Sequence, residues 1–229
     1  MEQLQNGFLL NTPPDTFPLS TDSILLSDFV KLPKSAQVLD LGSGCGTLGI
    51  LLCAKDSQCH VTGLELDETA HKAALENIHI NALSQRMESI CADLRSISEV
   101  LPRGGFTTCV SNPPYFSGGF ASQSLPHARQ NDCCSIDALM AAASHGLRFG
   151  GDFFLVQKPE NLPQLCACAM KYGMEPKRLC LVKHRPSGNI SMILLQCRKG
   201  GKPGLVWEEL TLFHEDGTST EAYRNIYHL

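Results

Sequence analysis

Residues 38–50 read VLDLGSGCGTLGI, and this stretch decides the fold. The predicted strand Gln37–Leu41 runs directly into a glycine-rich turn, and the apolar residues after the turn have helical spacing. A strand, a glycine turn and a helix in this order are typical of an open α/β sheet, which binds ligands at the carboxyl ends of its strands. The sequence therefore predicts a ligand site at this turn, where glycines let the backbone approach a ligand closely.

Strand-like and helical segments alternate along the rest of the chain. Strands are predicted at residues 37–41, 60–64, 87–91, 106–110 and 152–157. The segments between them are short connections or carry apolar residues at i, i+3 and i+4, which indicates a parallel sheet covered by helices. After Gly173, RLCLVKH and ISMILLQCRK flank the turn RPSGN and predict an antiparallel pair. We expect an α/β, Rossmann-like fold: a mostly parallel seven-stranded sheet with an antiparallel C-terminal hairpin.

Length and composition favour one globular domain. The 229 residues are 43% hydrophobic and 18% charged, with a formal net charge of −4, and no change in composition separates two cores. Residues 1–35 are expected to form an N-terminal lead-in segment that packs on a core made by residues 36–229. The first residues, MEQLQNGFLL, contain no basic leader and no long apolar run. We therefore expect a cytoplasmic protein without a membrane partner.

The cysteines predict neither disulfides nor a metal site. The chain contains 11 of them, an odd number, with no CxxC pair and no Cys/His group at zinc spacing. A free cysteine packs as a small apolar residue, and a reducing compartment keeps thiols free. We expect reduced core thiols and no metal.

The glycine turn allows two ligand hypotheses. Residues 44–49 satisfy GxGxxG, and Glu65 lies near the distance of a ribose-binding acid, so a nicotinamide dehydrogenase has to be weighed. Asp40 argues against a dinucleotide, because it precedes Gly42 by two residues and its carboxylate would repel a pyrophosphate. A cofactor with a cationic amino-acid tail, such as S-adenosylmethionine, would be attracted to it.

Carboxylates end three successive predicted strands. Besides Asp40, Glu65 ends HVTGLE and can accept from both ribose hydroxyls, and Asp93 ends SICAD, where it can accept from the adenine amine. Each acid alone is explained equally well as a cap of a helix or a turn. Because caps explain three in succession less well, the set favours S-adenosylmethionine over a dinucleotide.

The stretch SNPPYF follows the fourth predicted strand at the same edge of the sheet. Prolines have no backbone donor, so Pro113 and Pro114 leave this corner with carbonyl acceptors only. The side-chain oxygen of Asn112 and the carbonyl of Pro113 can accept from one planar NH2 group and aim its nitrogen at a methyl donor. Tyr115 can stack on the flat group that carries the amine. Asn-Pro pairs also start plain turns, so this interpretation depends on the nearby carboxylates.

These motifs together carry a family resemblance. VLDLGSGCGTLGI, GLELD, CADL and SNPPYF stand in the order and spacing of class I S-adenosylmethionine-dependent methyltransferases, whose amino-group branch is marked by Asn-Pro-Pro-Tyr. The chain is similar throughout to the bacterial tRNA adenine-N6 methyltransferases that modify the anticodon loop of a valine tRNA. FPLSTDSILLSDF resembles the segment of that family that packs close to the active site. HARQ, FGGDFFLVQKPENL, EPKRLCLVKH and LTLFHEDGTSTEAYRNIY resemble its later blocks.

The resemblance implies a class I methyltransferase fold, S-adenosylmethionine as cofactor and a set of site residues. Those implied for cofactor binding are Thr21, Asp40, Gly42, Gly44, Gly46, Glu65, Leu66, Asp93, Leu94 and Asn112. Those implied for catalysis at the target amine are Asn112, Pro113, Pro114 and Tyr115. The candidate substrate contacts are Tyr115, Phe116, Arg129, Lys183 and Arg185. The sequence departs from the family pattern at Asn131, where many members carry an acid, and at Ser219, where many carry an aromatic.

The charge distribution indicates where RNA would bind. Residues 171–202 hold eight Lys and Arg against one acid, which leaves 11 of the 19 basic and 22 of the 23 acidic side chains for the remainder. A basic hairpin on an acidic body suits a local phosphate contact. Arg129, Lys183 and Arg185 are the candidates. The alternative is a solvated edge hairpin that its lysines protect from strand pairing.

Other substrates stay open. Asn-Pro-Pro-Tyr also serves enzymes that methylate a glutamine amide of release factors, but these carry a helical substrate domain ahead of the fold, and 39 residues precede Asp40. DNA adenine methyltransferases usually need a target-recognition insertion, for which this sequence has no room. Ribosomal guanine-N2 methyltransferases of this branch often duplicate the fold, and this sequence shows no such duplication. A cofactor-binding RNA module without catalysis is the non-enzymatic alternative. We expect a tRNA partner and a monomer or weak dimer.

Overall fold

A sheet of eight strands organises the protein, whose computed structural model describes residues 2–4, 7–14, 16–115 and 135–228. In chain order the strands are β1 (Glu2–Gln3), β2 (Leu9–Leu10), β3 (Gln37–Leu41), β4 (His60–Glu65), β5 (Met87–Cys91), β6 (Phe106–Ser111), β7 (Leu147–Gln157), β8 (Met174–Lys183), β9 (Ile190–Lys199) and β10 (Val206–Thr211). The helices are α1 (Thr21–Phe29), α2 (Thr47–Lys55), α3 (Glu68–Ile80), α4 (Ile97–Val100), α5 (Ile136–Gly146), α6 (Leu162–Lys171) and α7 (Glu221–Tyr227).

The large sheet has the order β10-β8-β9-β7-β6-β3-β4-β5. Strands β3 to β7 pair in parallel, whereas β9 pairs antiparallel with both β7 and β8. After β3 the chain proceeds outward through β4 and β5 and then returns to the other side of β3 with β6. Such a reversal opens a crevice at the carboxyl ends of the central strands. The predicted α/β, Rossmann-like fold with its antiparallel hairpin is confirmed.

The sheet has one strand more than the seven that were predicted. Strand β10 lies at the edge and pairs in parallel with β8, with Val206 opposite Arg178. Its sequence, VWEELT, does not alternate between apolar and polar residues, and its first four residues are exposed. Hydrophobic periodicity therefore did not reveal this strand, because it depends on pairing with β8 rather than on burying one face.

Two apolar layers cover the two faces of the sheet. Neighbouring residues of β7, Phe153 and Phe154, are both fully buried and belong to different layers. Successive side chains of a strand point to opposite faces, so Phe154 packs on the side of α1 and α2, and Phe153 packs on the side of α5 and α6. The sheet is thus buried on both sides, which explains why its central strands read as continuous apolar runs.

The lead-in segment is pinned to α3 by two asparagine amides. Asn81 accepts from the backbone amide of Leu9 and donates to the carbonyl of Leu9, both at 2.7 Å. Asn77 accepts from the amide of Asn11 at 2.7 Å and donates to its carbonyl at 2.9 Å. Each side-chain amide thereby supplies the donor and the acceptor that a neighbouring strand would provide. The buried amide of Asn77 also donates to the carbonyl of Cys45 at 2.9 Å, which ties the glycine turn to the same helix.

Helix α1 is fixed at its carboxyl end by a lysine of α2. Lys55 Nζ donates to the carbonyl oxygens of Ser27, Asp28 and Val30 at 2.9, 2.7 and 2.8 Å. The last carbonyls of a helix have no partner within the helix and carry partial negative charge, so the ammonium group satisfies them. Burial lowers the pKa of Lys55. The opposite end of α1 reaches the crevice at the carboxyl ends of the strands.

Three further features concern only the part of the chain that the structure describes. None of its helices combines the length and the hydropathy needed to cross a bilayer. Its nine cysteines are free thiols. It contains no group of three or more His, Cys, Asp or Glu side chains that could hold a metal ion. Cys133 and Cys134 lie outside the described residues.

Candidate active site

The crevice brings together the polar residues that end β3, β4 and β6. The parallel register places Asp40 of β3 opposite Gly63 of β4 and Val110 of β6. Glu65 is the last residue of β4, and Asn112 directly follows β6. Two of the predicted carboxylates and the amide of SNPPYF therefore lie at one edge of the sheet.

The glycine turn leaves open space in front of its backbone. Gly42, Gly44 and Gly46 have φ of +71°, +54° and +83°, which residues with a side chain rarely adopt. A Cβ built on Gly42 or Gly44 would meet no atom within 4 Å, whereas one on Gly46 would contact Met87 Cε at 3.0 Å. Gly42 and Gly44 thus border open space that a ligand could fill, and Gly46 permits close packing against β5.

Asp40 is a buried carboxylate that forms no ion pair within the described residues. Its side chain is 1% exposed, and its Oδ2 atom has no hydrogen-bond partner. Burial raises the pKa of Asp40 from 3.8 to about 7, and the negative charge of Glu65 adds to this, against an opposing hydrogen bond from the Gly49 backbone. Ser43 Oγ in the adjoining turn is the other buried side-chain polar atom of the described chain without a partner. A cationic ligand group beside Asp40 would restore its ionised form.

Glu65 shapes the glycine turn as well as facing the crevice. Its Oε2 accepts from the amide of Gly44 at 2.8 Å, and its Oε1 accepts from the amide of Asp67 at 2.8 Å. A carboxylate oxygen has two lone pairs, so each oxygen retains capacity for a ligand hydroxyl. The sequence assigned Glu65 to the ribose and gave no indication of its bond to Gly44. The neighbouring residue, Leu66, exposes 45% of its surface.

Asp93 caps a turn in this structure. Its Oδ1 accepts from the amide of Arg95 at 2.8 Å, at the start of the 3₁₀ turn Leu94–Ser96. Its carboxylate also forms an ion pair with the Arg95 guanidinium, with Oδ2 and Nη2 2.5 Å apart, and this hydrogen-bonded pair lowers the pKa of Asp93. Asp93 is therefore a turn cap, which is the alternative explanation for a single acid. Its carboxylate oxygens already accept hydrogen bonds from Arg95, whereas the sequence predicts that they accept from adenine.

Asn112 is held by the lead-in helix. Its Nδ2 donates to Ser23 Oγ in the first turn of α1 at 2.9 Å, across 89 residues of sequence. This bond uses the donor side of the amide and presents Oδ1 as an acceptor. Next along the motif, Pro113 is buried and Pro114 is exposed, and the Pro114 carbonyl accepts from Gln157 Nε2 at 3.5 Å.

The Tyr115 ring is oriented by two side chains that the sequence analysis did not assign. Its hydroxyl donates to the carboxylate of Asp22 in α1, and Lys158 Nζ lies 4.5 Å from the ring centroid. Burial and the bond to Asp22 raise the pKa of Tyr115, which keeps the hydroxyl protonated. Thr21, beside Asp22, contacts the phenol of Tyr227 in α7. Lys158 could have been proposed as a site residue from the sequence, because it directly follows β7 and chain segments that follow parallel strands reach this edge of the sheet.

Half of the basic residues of the hairpin region, residues 171–202, form ion pairs with acids from other parts of the chain. Lys183 is the last residue of β8, at the carboxyl end of the strand, and its Nζ lies 3.0 Å from Glu209 Oε2 of β10. Arg185 is exposed in the turn after β8 and has no ion pair within the described residues. Ion pairs also join Lys171 to Asp137, Arg178 to Glu208 and Arg198 to Asp152. Half of the eight basic residues counted in the sequence are thus paired; Phe116, Arg129 and Asn131 lie outside the described residues.

The chain matches one family model and is similar to curated proteins that share one name. The family model described as Methyltransferase small domain matches residues 20–167. A "tRNA1(Val) (adenine(37)-N6)-methyltransferase" from Photobacterium profundum is 29% identical over 203 residues, which are 87% of this chain and 85% of that protein. A protein of the same name from Bacteroides fragilis is 32% identical over 170 residues, 73% of this chain and 71% of that protein.

Solved structures share the fold at low identity. A predicted O-methyltransferase from Agrobacterium tumefaciens, Atu636, superposes with a TM-score of 0.77 at 21% identity, covering 91% of this chain and 96% of that one. Geranyl diphosphate C-methyltransferase from Streptomyces coelicolor A3(2) has a TM-score of 0.59 at 10% identity, with coverage of 77% and 76%. These likenesses concern the fold alone.

Proposed function

Because the chain belongs to the Methyltransferase small domain family, we propose that it transfers a methyl group from S-adenosylmethionine to the exocyclic N6 amine of an adenine in a tRNA anticodon loop. The observation that carries this proposal is the orientation of Asn112, whose Nδ2 is used by Ser23 at 2.9 Å so that Oδ1 is presented to a donor. The name that the two relatives share supports tRNA and adenine N6 as the target.

The residues at the glycine turn fit S-adenosylmethionine. The buried Asp40, with its unpaired Oδ2, suits the cationic amino-acid tail, because a positive charge offsets the burial of the carboxylate. The open space before Gly42 and Gly44 admits a ligand against the backbone, and Glu65 retains acceptors for ribose hydroxyls. The other proposed cofactor contacts are Thr21, Gly46, Leu66, Asp93 and Leu94, whereas Asn112 is assigned to the target amine. When bound, the cofactor supplies an electrophilic methyl group.

Asn112 and Pro113 orient the target amine. The nitrogen of an adenine NH2 group is a poor nucleophile, because its lone pair is delocalised into the ring. Asn112 Oδ1 and the Pro113 carbonyl accept its two hydrogens, and these hydrogen bonds strengthen as the nitrogen becomes tetrahedral. They therefore stabilise the transition state more than the ground state. The N–C bond forms as the methyl–sulfur bond breaks, and the leaving group is the neutral thioether of S-adenosylhomocysteine. The residues need not remove a proton before attack, since the methylated nitrogen releases it to water after the new bond has formed.

Tyr115 and Lys158 form the proposed base-binding end of the site. The Tyr115 ring is 39% exposed, which suits stacking on a base that is already accessible in an RNA loop. Lys158, 4.5 Å from the ring centroid, is placed to contact a phosphate beside that base. Arg185, which is exposed in the turn after β8, offers a second cation. Lys183 has to break its ion pair with Glu209 before it can contact a phosphate.

The test is methyl transfer from radiolabelled S-adenosylmethionine to total tRNA, followed by digestion to nucleosides. We expect the label in N6-methyladenosine. Asn112→Ala should bind S-adenosylmethionine normally in calorimetry but lose transfer by a factor on the order of 10²–10³, as for other preorganised transition-state contacts. Labelling of a release-factor glutamine and of no RNA, or parental turnover by Asn112→Ala, contradicts the proposal.

A further inference from the structure

We propose that Asp22 and Ser23, neighbours in the first turn of α1, are positioning residues for the Asn-Pro-Pro-Tyr motif. Asn112 Nδ2 donates to Ser23 Oγ at 2.9 Å, and the hydroxyl of Tyr115 donates to Asp22. The two adjacent helix residues thus bind the first and last residues of the motif. The inference rests on the proposed function, which assigns the motif to the target base.

Ser23 determines which end of the Asn112 amide meets the substrate. The terminal torsion of an asparagine side chain has a broad, roughly two-fold distribution, so an unrestrained amide presents its oxygen or its NH2 group. An NH2 group facing the target amine would set two donors against each other. Ser23 Oγ accepts from Nδ2 at 2.9 Å, and its own hydroxyl hydrogen can go to Ser20 Oγ, 3.3 Å away. With the Ser23 proton used in this way, Oδ1 of Asn112 remains as the acceptor on the substrate side.

Asp22 fixes the ring of Tyr115. The phenol of a partly exposed tyrosine turns about two side-chain torsions, and a hydrogen bond at its far end restrains both. The bond to Asp22 and the contact with Lys158 therefore hold one ring plane ready for the base. Preorganisation of this kind reduces the entropy that ordering the complex would otherwise lose.

Helix α1 is a rigid support for these two contacts. Lys55 binds its carboxyl-terminal carbonyls, and Leu25 and Leu26 are buried. Phe29 packs edge-to-face on Phe154 of β7, with ring centroids 6.0 Å apart. Ser20 caps the helix by accepting from the Ser23 amide at 3.3 Å. The first turn of α1 is therefore held at a fixed place relative to the sheet that carries the motif.

Ser23→Ala tests the first contact against a matched control, Ser27→Ala. Both serines are buried in α1, but the Ser27 hydroxyl donates only to the Ile24 carbonyl of its own helix. We expect Ser23→Ala to lower kcat for tRNA methylation by about 10–100-fold, the loss that a small misplacement of a reacting group causes. Its S-adenosylmethionine affinity and Tm should match those of Ser27→Ala, which should retain parental kcat.

The double variant Ser23→Ala/Asn112→Ala distinguishes positioning from a general structural effect. If Ser23 acts through Asn112, the double variant is as slow as Asn112→Ala alone, because the losses are not additive. Parental kcat in Ser23→Ala, or an equal further loss in the Asn112→Ala background, overturns the inference. If Asn112→Ala itself turns over normally, the proposed function has failed instead.

Asp22→Ala and Tyr115→Phe test the second contact, because the phenylalanine keeps the ring and removes the hydroxyl. Each variant should raise KM for tRNA by a similar factor, and the double variant should raise it no further. Losses that multiply in the double variant, or unchanged KM in both single variants, contradict the assignment of Asp22. S-adenosylmethionine affinity should be parental in all three.

Discussion

Asp40 and Glu65 end neighbouring strands, and the negative charge of Glu65 adds to burial in raising the pKa of Asp40 to about 7. Two carboxylates close together away from water are unfavourable when both are ionised. In the ligand-free protein, protonation of Asp40 below about pH 7 relieves this. A cationic ligand relieves it by compensating the charge, so this pair favours the binding of a positively charged group.

The contribution of Asp40 to the stability of the ligand-free protein should fall as the pH rises from about 4 to about 7. The pKa of Asp40 is raised in the folded state, from 3.8 to about 7, so in this range the folded protein holds a proton that the unfolded chain has lost. The Asp40 contribution to the free energy of unfolding therefore decreases, by at most about 1.4 kcal/mol per pH unit. Asp40→Asn has no such group. Denaturant titrations at several pH values should show the free energy of unfolding of the variant rising relative to that of the parent up to about pH 7 and staying level above it. A difference that is the same at every pH would contradict the pKa assignment.

The stabilisation that S-adenosylmethionine gives should depend on pH in the opposite sense. The cationic tail prefers ionised Asp40, so the increase in Tm at a fixed cofactor concentration should be larger at pH 7.5 than at pH 6. Thermal scans with and without the cofactor measure this. Asp40→Asn should show a smaller increase with little change between these two pH values. An equal increase in parent and variant would exclude Asp40 from the cofactor site.

Glu65→Gln should weaken cofactor binding by roughly tenfold to a hundredfold. The carboxylate accepts from the amides of Gly44 and Asp67, but a glutamine has one acceptor oxygen, so one amide would face an NH2 group. In the complex a ribose hydroxyl also loses its charged acceptor, and a hydrogen bond to a charged group is worth about 1.5–3 kcal/mol. Calorimetry measures the affinity, and Glu68→Gln, an exposed acid of α3, is the control. Because the variant also removes a charge near Asp40, the pH transition of stability should move to lower pH.

RNA affinity should depend more on Lys158 and Arg185 than on Lys183. Lys183 is paired with Glu209, so a phosphate contact first has to break that ion pair. Lys158→Ala and Arg185→Ala should each weaken tRNA binding and reduce the slope of log affinity against log salt by about one. Titrations at several salt concentrations measure both quantities, with Lys177→Ala near the opposite end of β8 as control. An effect of Lys183→Ala as large as that of Arg185→Ala would show that the ion pair yields to RNA.

Lys55→Met should destabilise the protein by about 1–3 kcal/mol. The variant retains the apolar stem but leaves three carbonyls at the end of α1 without their donor, and an unsatisfied buried acceptor is unfavourable by this order. Lys72→Met is the control, because Lys72 is exposed and forms only a surface pair with Glu68, which contributes little. Chemical denaturation measures both. Equal stability of the two variants would show that Lys55 is not needed to hold α1.

Local sequence was sufficient for most of the central sheet. Strands β3 to β9 follow from apolar runs and turn residues, because buried parallel strands and a tight hairpin each leave a pattern within a few residues. Strand β10 has no such local pattern in its sequence. Its acids Glu208 and Glu209 also pair with Arg178 and Lys183, so the excess of basic residues in the hairpin is reduced by residues outside the stretch that was counted.

By itself the sequence determined the fold class, the glycine turn and the convergence of Asp40, Glu65 and Asn112, because the carboxyl ends of parallel strands meet at one edge of a sheet. Only the tertiary structure decided what surrounds them. The bond between Ser23 and Asn112 spans 89 residues, and the bond between Asp22 and Tyr115 spans 93. Such contacts depend on how α1 packs across the sheet, and a helix that packs through its apolar face carries no local pattern that specifies the partners of its polar first turn.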